Sequence, residues 1–396
     1  MFKKKIAILI VLSIIAISFS ACSNRDLPDP IDPIEKKINN MSLEEKIGQM
    51  LIVGMEGYEI DEKTEELIDK YNVGGFILFN KNIESAQQLI NLTNDLKKIN
   101  EKNGIPLFLS IDEEGGMISR IPPEFTKSES NRIIGENNDP MLSFEIGSVI
   151  AKQIKSLGFN MNFAPVLDID SNPNNPVIGD RSFGSDVNLV SELGIAIMKG
   201  IQSQNIVSVI KHFPGHGDTD IDSHLGLPSV DKSLDSLMEF ELVPFRNAIE
   251  DGGDAVMVAH ILYDMIDPVY PSTLSKTIIQ DILRDQLGFD GMVITDDMTM
   301  GAIMENYDIT DASIQSVKAG CDIVLVCHGY ENIVSVLEAL KEAVEKNEIP
   351  EKKIDQSVYR ILTIKSKYGL EDNRIEDIDI EQINREMENV LNNLAR

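Results

Sequence analysis

Short apolar runs rich in β-branched residues recur along the chain, separated by longer segments in which apolar residues return every three or four positions. The runs predict strands near residues 50–53, 75–79, 107–111, 160–163, 207–210, 255–259, 292–294 and 323–326. The periodic segments predict helices over 83–98, 141–157, 188–203, 234–249, 277–287 and 309–319. Ser42-Leu43-Glu44-Glu45 reads as a capping box opening a further helix toward Gln49. Eight strands alternating with helices predict an α/β fold with a parallel sheet, and eight is the closure number of a TIM (β/α)8 barrel. Periodicity alone leaves another parallel α/β arrangement open. Amphipathic helices at 333–345 and 353–367 and a charged helical tail over 371–396 follow, with no second sheet domain expected.

The first 22 residues stand apart from this pattern. Three lysines lie within residues 1–5, residues 6–17 are almost all apolar, and Phe19-Ser20-Ala21-Cys22 closes the segment. That order predicts an export signal, with an apolar stretch too short to favour a permanent span. The terminal cysteine resembles a bacterial lipobox with Phe19 in place of its usual Leu. An ordinary cleaved signal with a chance cysteine is the alternative. A lipid on Cys22 would hold the exported protein at the bacterial membrane without spanning it. Residues 23–36, polar and rich in Pro and Asp, read as a flexible tether, and residues 37–370 as the barrel domain.

Loss of the three signal lysines takes the formal charge from −29 to −32. This argues against nucleic acid or bare anionic membrane as partners. Cys321 and Cys327 share one predicted strand, where six residues put their Cα atoms about 20 Å apart. They are expected to be buried thiols.

Chemistry is concentrated where strands end. Ile111 leads into Asp112, Phe163 to Asp168, Ile210 into Lys211 and His212, Ala259 into His260, and Ile294 through Thr295 into Asp296 and Asp297. In a TIM barrel these ends form one rim. Polar turns account for any one of these residues, but less well for the set. The densest stretch, KHFPGHGDTDIDSHLGLP from Lys211 to Pro228, holds three of the five histidines. His212 and His216 have a zinc-like spacing, but Pro214 and the glycines forbid the helix that would align them. The run from Asp168 to Asn174 mimics a calcium loop, yet Pro173 and Gly179 stand where Gly and Glu are required. Asp222 and His224, two apart in an extended loop, can present side chains in one direction. On spacing alone such a pair serves structure as readily as proton transfer.

KHFPGHGDTDIDSHLGLP, together with IDEEGGMISR, NFAPVLDI, GDRSF and VITDDMTMGAI, resembles the β-N-acetylglucosaminidases of glycoside hydrolase family 3, in the family's order and over residues 37–370. The resemblance implies Asp296 as nucleophile and His224 as acid/base, oriented by Asp222. It implies Asp112, Arg120, Arg181, Lys211 and His212 as contacts to the terminal sugar, and no metal or organic cofactor. Asp168 lies in a matching motif, Asp297 is expected to be turned away by strand alternation, and Met117 departs from the Arg common in relatives. The activity so implied is exo-acting and retaining, on peptidoglycan fragments or chitin oligomers. Closure of the Gly-rich loop is expected to accompany it. Two alternatives stay open: a phosphorylase using phosphate as acceptor, and a non-catalytic sugar-binding lipoprotein.

Overall fold

Residues with branched apolar side chains on both faces suit strands that are covered on both sides, and this chain supplies eight such runs. The computed structural model describes residues 32–376 and 378–394, so the export signal, Cys22 and residues 23–31 of the expected tether lie outside the described residues. Two units are distinguished, residues 1–40 and 41–396. Within the first, Pro33–Ile38 is a short helix, with Pro33 at its start and the Asp32 carboxylate accepting the N–H of Ile34 at 2.8 Å. The last four residues of the expected tether are therefore helical.

Among its described residues the second unit contains ten strands: β1 Leu51–Val53, β2 Gly75–Ile77, β3 Phe108–Ile111, β4 Met161–Asn162, β5 Val207–Phe213, β6 Ser229–Val230, β7 Ala255–Val258, β8 Leu262–Tyr263, β9 Met292–Asp297 and β10 Ile323–Val326. Eight of them close a barrel in the order β1-β10-β9-β7-β5-β4-β3-β2. All the pairings are parallel, and Leu51 opposite Val324 joins the last strand to the first. The expected TIM-barrel fold is therefore the observed one. Strands β6 and β8 form a separate parallel pair within the loops that follow β5 and β7.

Each connection between barrel strands carries helix. The predicted segment over 234–249 is two helices, Leu234–Glu239 and Leu242–Glu250, because Phe240 leaves helical geometry at φ −134° and ψ −80°. Thr277–Gln286 is wound as a π-helix. Between strands and helices lies the core, where Ile210, Val256, Val258 and Val293 meet Leu242, Phe245, Ile278 and Ile282, all buried. Each such side chain is worth about 1.5–3 kcal/mol on leaving water. Beyond residue 370, the helix Ile380–Leu394 lies along Pro140–Ser156, with Lys152 and Glu386 paired at 2.6 Å.

Two register shifts interrupt the barrel. On β5, Ile210 pairs with Val256 and Phe213 with Val258, so β5 carries one extra residue. On β9, Ile294 pairs with Ile323 and Asp297 with Leu325, again with one extra residue on β9. A bulge breaks strict alternation and re-aims side chains. These two bulges contain Lys211, His212, Thr295 and Asp296.

Candidate active site

At the C-terminal rim a cavity of about 180 Å³ is walled by residues from several strand ends. Asp112 and Glu114 follow β3. Their side chains share a direction because they are two apart, and Lys211 reaches both, at 2.8 Å and 2.7 Å. Arg181 holds Glu114 in a two-pronged pair, with Nε at 2.9 Å from Oε2 and Nη2 at 2.8 Å from Oε1. Burial would raise the Glu114 pKa, but the charges of Arg181 and Lys211 hold it far below the usual carboxylate range. Burial likewise acts to lower the Lys211 pKa, and Asp112 and Glu114 more than offset it.

Nδ1 of His212 lies 2.6 Å from the buried Asp168 carboxylate, and its Nε2 lies 3.3 Å from Arg181. A guanidinium only donates, so Nε2 accepts and the ring proton sits on Nδ1. Asp168 also takes the backbone N–H of His216 at 2.6 Å, so it supports the wall from behind. Arg120 lines the cavity, and its buried Nε has no hydrogen-bond partner among the described residues.

Asp296 lies within β9 rather than after it. Burial would raise its pKa, but the rings of His260 and His212, the N–H of Asp297 at 2.8 Å and the His224 ring hold it below the ordinary value. A half-buried, ionised carboxylate at a cavity wall can attack an electrophilic carbon. Asp297 also reaches the cavity wall, contrary to the expectation from alternation, because the bulge removes that alternation. Its carboxylate is nevertheless committed: Oδ1 accepts the N–H of Thr299 at 2.9 Å and of Cys327 at 3.0 Å, and Oδ2 accepts the Thr299 hydroxyl at 2.6 Å. His260, wholly buried, contacts the Asp297 carbonyl through Nε2 at 2.9 Å.

The loop after β5 returns over the rim. His216 is buried between the hydroxyls of Thr219 and Ser223, at 2.9 Å and 3.0 Å. Burial, then the neighbouring His212, lowers its pKa to about 4. Asp222 accepts both the backbone N–H of His224 at 2.9 Å and its Nδ1 at 2.8 Å. These contacts hold the Asp222 pKa down against the opposing effect of burial. With Nδ1 occupied, Nε2 of His224 is the nitrogen free to exchange a proton. The His224 side chain is 63% exposed, yet it lines the same cavity as Asp296. Its position depends on Gly301, where a Cβ would lie 2.5 Å from the His224 carbonyl oxygen. The N–H of Ala302 donates to the Ser223 carbonyl at 3.0 Å.

Asp112, Arg120, Arg181, Lys211, His212, His224 and Asp296 therefore line one cavity, while Asp222 and Asp168 stand behind it. Met117 projects into solvent on the turn that precedes Arg120. Sequence reasoning missed Glu114, Ser223 and His328. Glu114 carried a signal, its two-residue spacing from Asp112. The other two carried none. Cys321 and Cys327 flank β10 rather than lying within it, and both are buried and unpaired, as expected.

Residues 42–364 match the family described as Glycosyl hydrolase family 3 N terminal domain. The chain is 37% identical over 329 residues to Beta-hexosaminidase A of Pseudoalteromonas piscicida, across 77% of this chain; it spans about half of that relative's length, 55%. It is 36% identical over 297 residues to Beta-hexosaminidase of Nitrosomonas eutropha, across 74% of this chain and 84% of that one. A solved glycoside hydrolase family 3 beta-N-acetylglucosaminidase from Paenibacillus sp. str. FPU-7 matches with a TM-score of 0.83 at 39% identity, covering 88% of this chain and 68% of that chain.

Proposed function

The chain belongs to glycosyl hydrolase family 3, and from that premise we propose that it is an exo-acting, retaining β-N-acetylglucosaminidase. One observation carries this reading: an ionised, half-buried Asp296 and an Asp222-bound His224 face the same cavity. Asp112, Arg120, Arg181, Lys211 and His212 would hold the terminal sugar and place its C1 over Asp296. A carboxylate oxygen of Asp296 attacks C1 as the C1–O bond to the leaving group breaks, and the departing oxygen takes the proton on His224 Nε2. Asp222 stabilises the doubly protonated ring before that step and fixes its tautomer after it. Neutral His224 then takes a proton from water, whose oxygen displaces Asp296 from C1 and restores the starting charges. The substrates of such a reaction, peptidoglycan fragments or chitin oligomers, share this terminal sugar.

Turnover of an aryl β-N-acetylglucosaminide by Asp296→Asn tests the assignment. A loss of about 10³-fold or more with binding retained is expected; undiminished turnover removes Asp296 from its role. Product analysis in phosphate buffer belongs to the same experiment, because a sugar 1-phosphate as main product would replace hydrolysis by phosphorolysis. Export and lipid attachment at Cys22 are a separate proposal resting on residues 1–22. Cys22→Ser should move activity from the membrane to the soluble fraction, and unchanged fractionation would remove the anchor.

A further inference from the structure

His328 follows β10 on the other flank of β9 from β5, and its ring lines the cavity. It stacks on Phe79, with centroids 5.4 Å apart and planes inclined by 30°. Lys81 Nζ stands 3.3 Å from its Nδ1, and is itself paired with Glu56 at 2.6 Å. An ammonium group can only donate, so Nδ1 accepts and the ring carries a proton on Nε2. That Nε2 lies 3.9 Å from Oδ2 of Asp297, beyond hydrogen-bond distance, and this oxygen already takes the Thr299 hydroxyl. Among the described residues Nε2 has no acceptor within reach. With its side chain 52% exposed, the ring therefore presents an oriented donor at the cavity mouth, on the Asp297 side of β9.

We infer that His328 is a substrate contact whose Nε2–H donates to the acyl oxygen of the 2-acetamido group, with Lys81 as a positioning residue that holds the tautomer. The inference rests on the sugar specificity proposed above. A nucleophile in a retaining enzyme approaches C1 from the face opposite the leaving group. A donor on the Asp297 side of β9, at the same cavity, is placed to meet a substituent on a carbon adjoining C1, and C2 is the one that carries the amide. An amide oxygen is a strong acceptor there, and a site built to bond it disfavours a sugar that lacks it. Stacking on Phe79 limits ring rotation, so the donor is already aimed.

The test is inhibition of aryl β-N-acetylglucosaminide turnover by N-acetylglucosamine and by glucose, in wild type, His328→Ala, His328→Gln and Lys81→Met. His328→Ala should weaken N-acetylglucosamine about 10- to 100-fold and glucose by less than about 3-fold. His328→Gln, which keeps a donor, should recover most of the loss. Lys81→Met should show a smaller loss confined to N-acetylglucosamine, expressed in KM rather than kcat. Equal weakening of both sugars in His328→Ala, or unchanged selectivity, overturns the inference. If His328→Ala does not fold, an N-acetylglucosamine affinity in Lys81→Met unchanged from wild type overturns it. A wild type that neither cleaves the aryl substrate nor binds N-acetylglucosamine overturns the sugar specificity itself, a distinguishable failure.

Discussion

Glu113 and Glu114 are chain neighbours, both buried, and their surroundings shift the two carboxyl pKa values in opposite directions. Glu114 is ionised between Arg181 and Lys211. Glu113 has no such cation in contact. Its Oε2 accepts the backbone N–H groups of Arg120 at 2.7 Å and Ile121 at 3.2 Å, while Oε1 is buried without a partner. Burial pushes its pKa up to about 7, against the ordinary 4.5. Between those values the folded protein keeps a proton that the unfolded chain has released. Stability should therefore fall as pH rises through this window and level off above it. The full shift corresponds to at most about 3–4 kcal/mol. Glu113→Gln keeps an acceptor for both N–H groups and has no charge to bury. Thermal melts from pH 4.5 to 8 should show this part of the decline in wild type and not in the variant; parallel curves would refute the assignment. Since those N–H groups shape the turn that carries Arg120, the cost attends the placing of a cation at the cavity.

Elements show where sequence reading succeeds and where it stops. Most of the barrel strands are legible because they are buried on both faces and read as largely apolar runs, as in Val207 to Ile210. The bulges at Lys211–His212 and Thr295–Asp296 are not legible, since one inserted residue leaves composition and hydropathy unchanged. Yet they decide that consecutive residues reach one cavity. The helix over 234–249 was joined in error because its apolar spacing continues past Phe240, although the backbone does not. Asp222 and His224 are legible only through the longer motif around them. What places them is tertiary: Gly301, 77 residues further on, lacks the Cβ that would strike the His224 carbonyl. Gly217 similarly admits the Ile169 carbonyl, which a Cβ would meet at 1.7 Å, and so lets the loop settle against the β4 side of the rim. Such close approaches join segments distant in the chain, and no local pattern records them.

At the scale of the whole barrel, chemistry and stability occupy opposite ends. The cavity lies at the C-terminal ends of the strands. At the N-terminal end, just before β10, Asp322 is wholly buried and fully engaged. Its Oδ2 accepts Arg284 Nη2 at 2.6 Å and the Val293 N–H at 2.9 Å, and its Oδ1 accepts the Ser357 hydroxyl at 2.9 Å and Arg360 at 3.1 Å. Arg284, from the π-helical segment, also caps the carbonyls of Phe289 and Gly291 that lead into β9. One carboxylate thus ties β9, β10, the π-helix and the helix Glu351–Lys367 at the base of the barrel. Asp322→Asn preserves shape but leaves the buried Arg284 without its counter-charge and turns an amide N–H toward existing donors. A loss of about 3–5 kcal/mol is expected on breaking such a pair. Because the network makes no contact with the cavity-lining residues, kcat and KM of the folded protein at low temperature should stay within about 2-fold of wild type. Denaturant unfolding and steady-state kinetics on the same preparation check both halves. A large change in kcat with unchanged stability would show that the base of the barrel governs the site, and would end this division of roles.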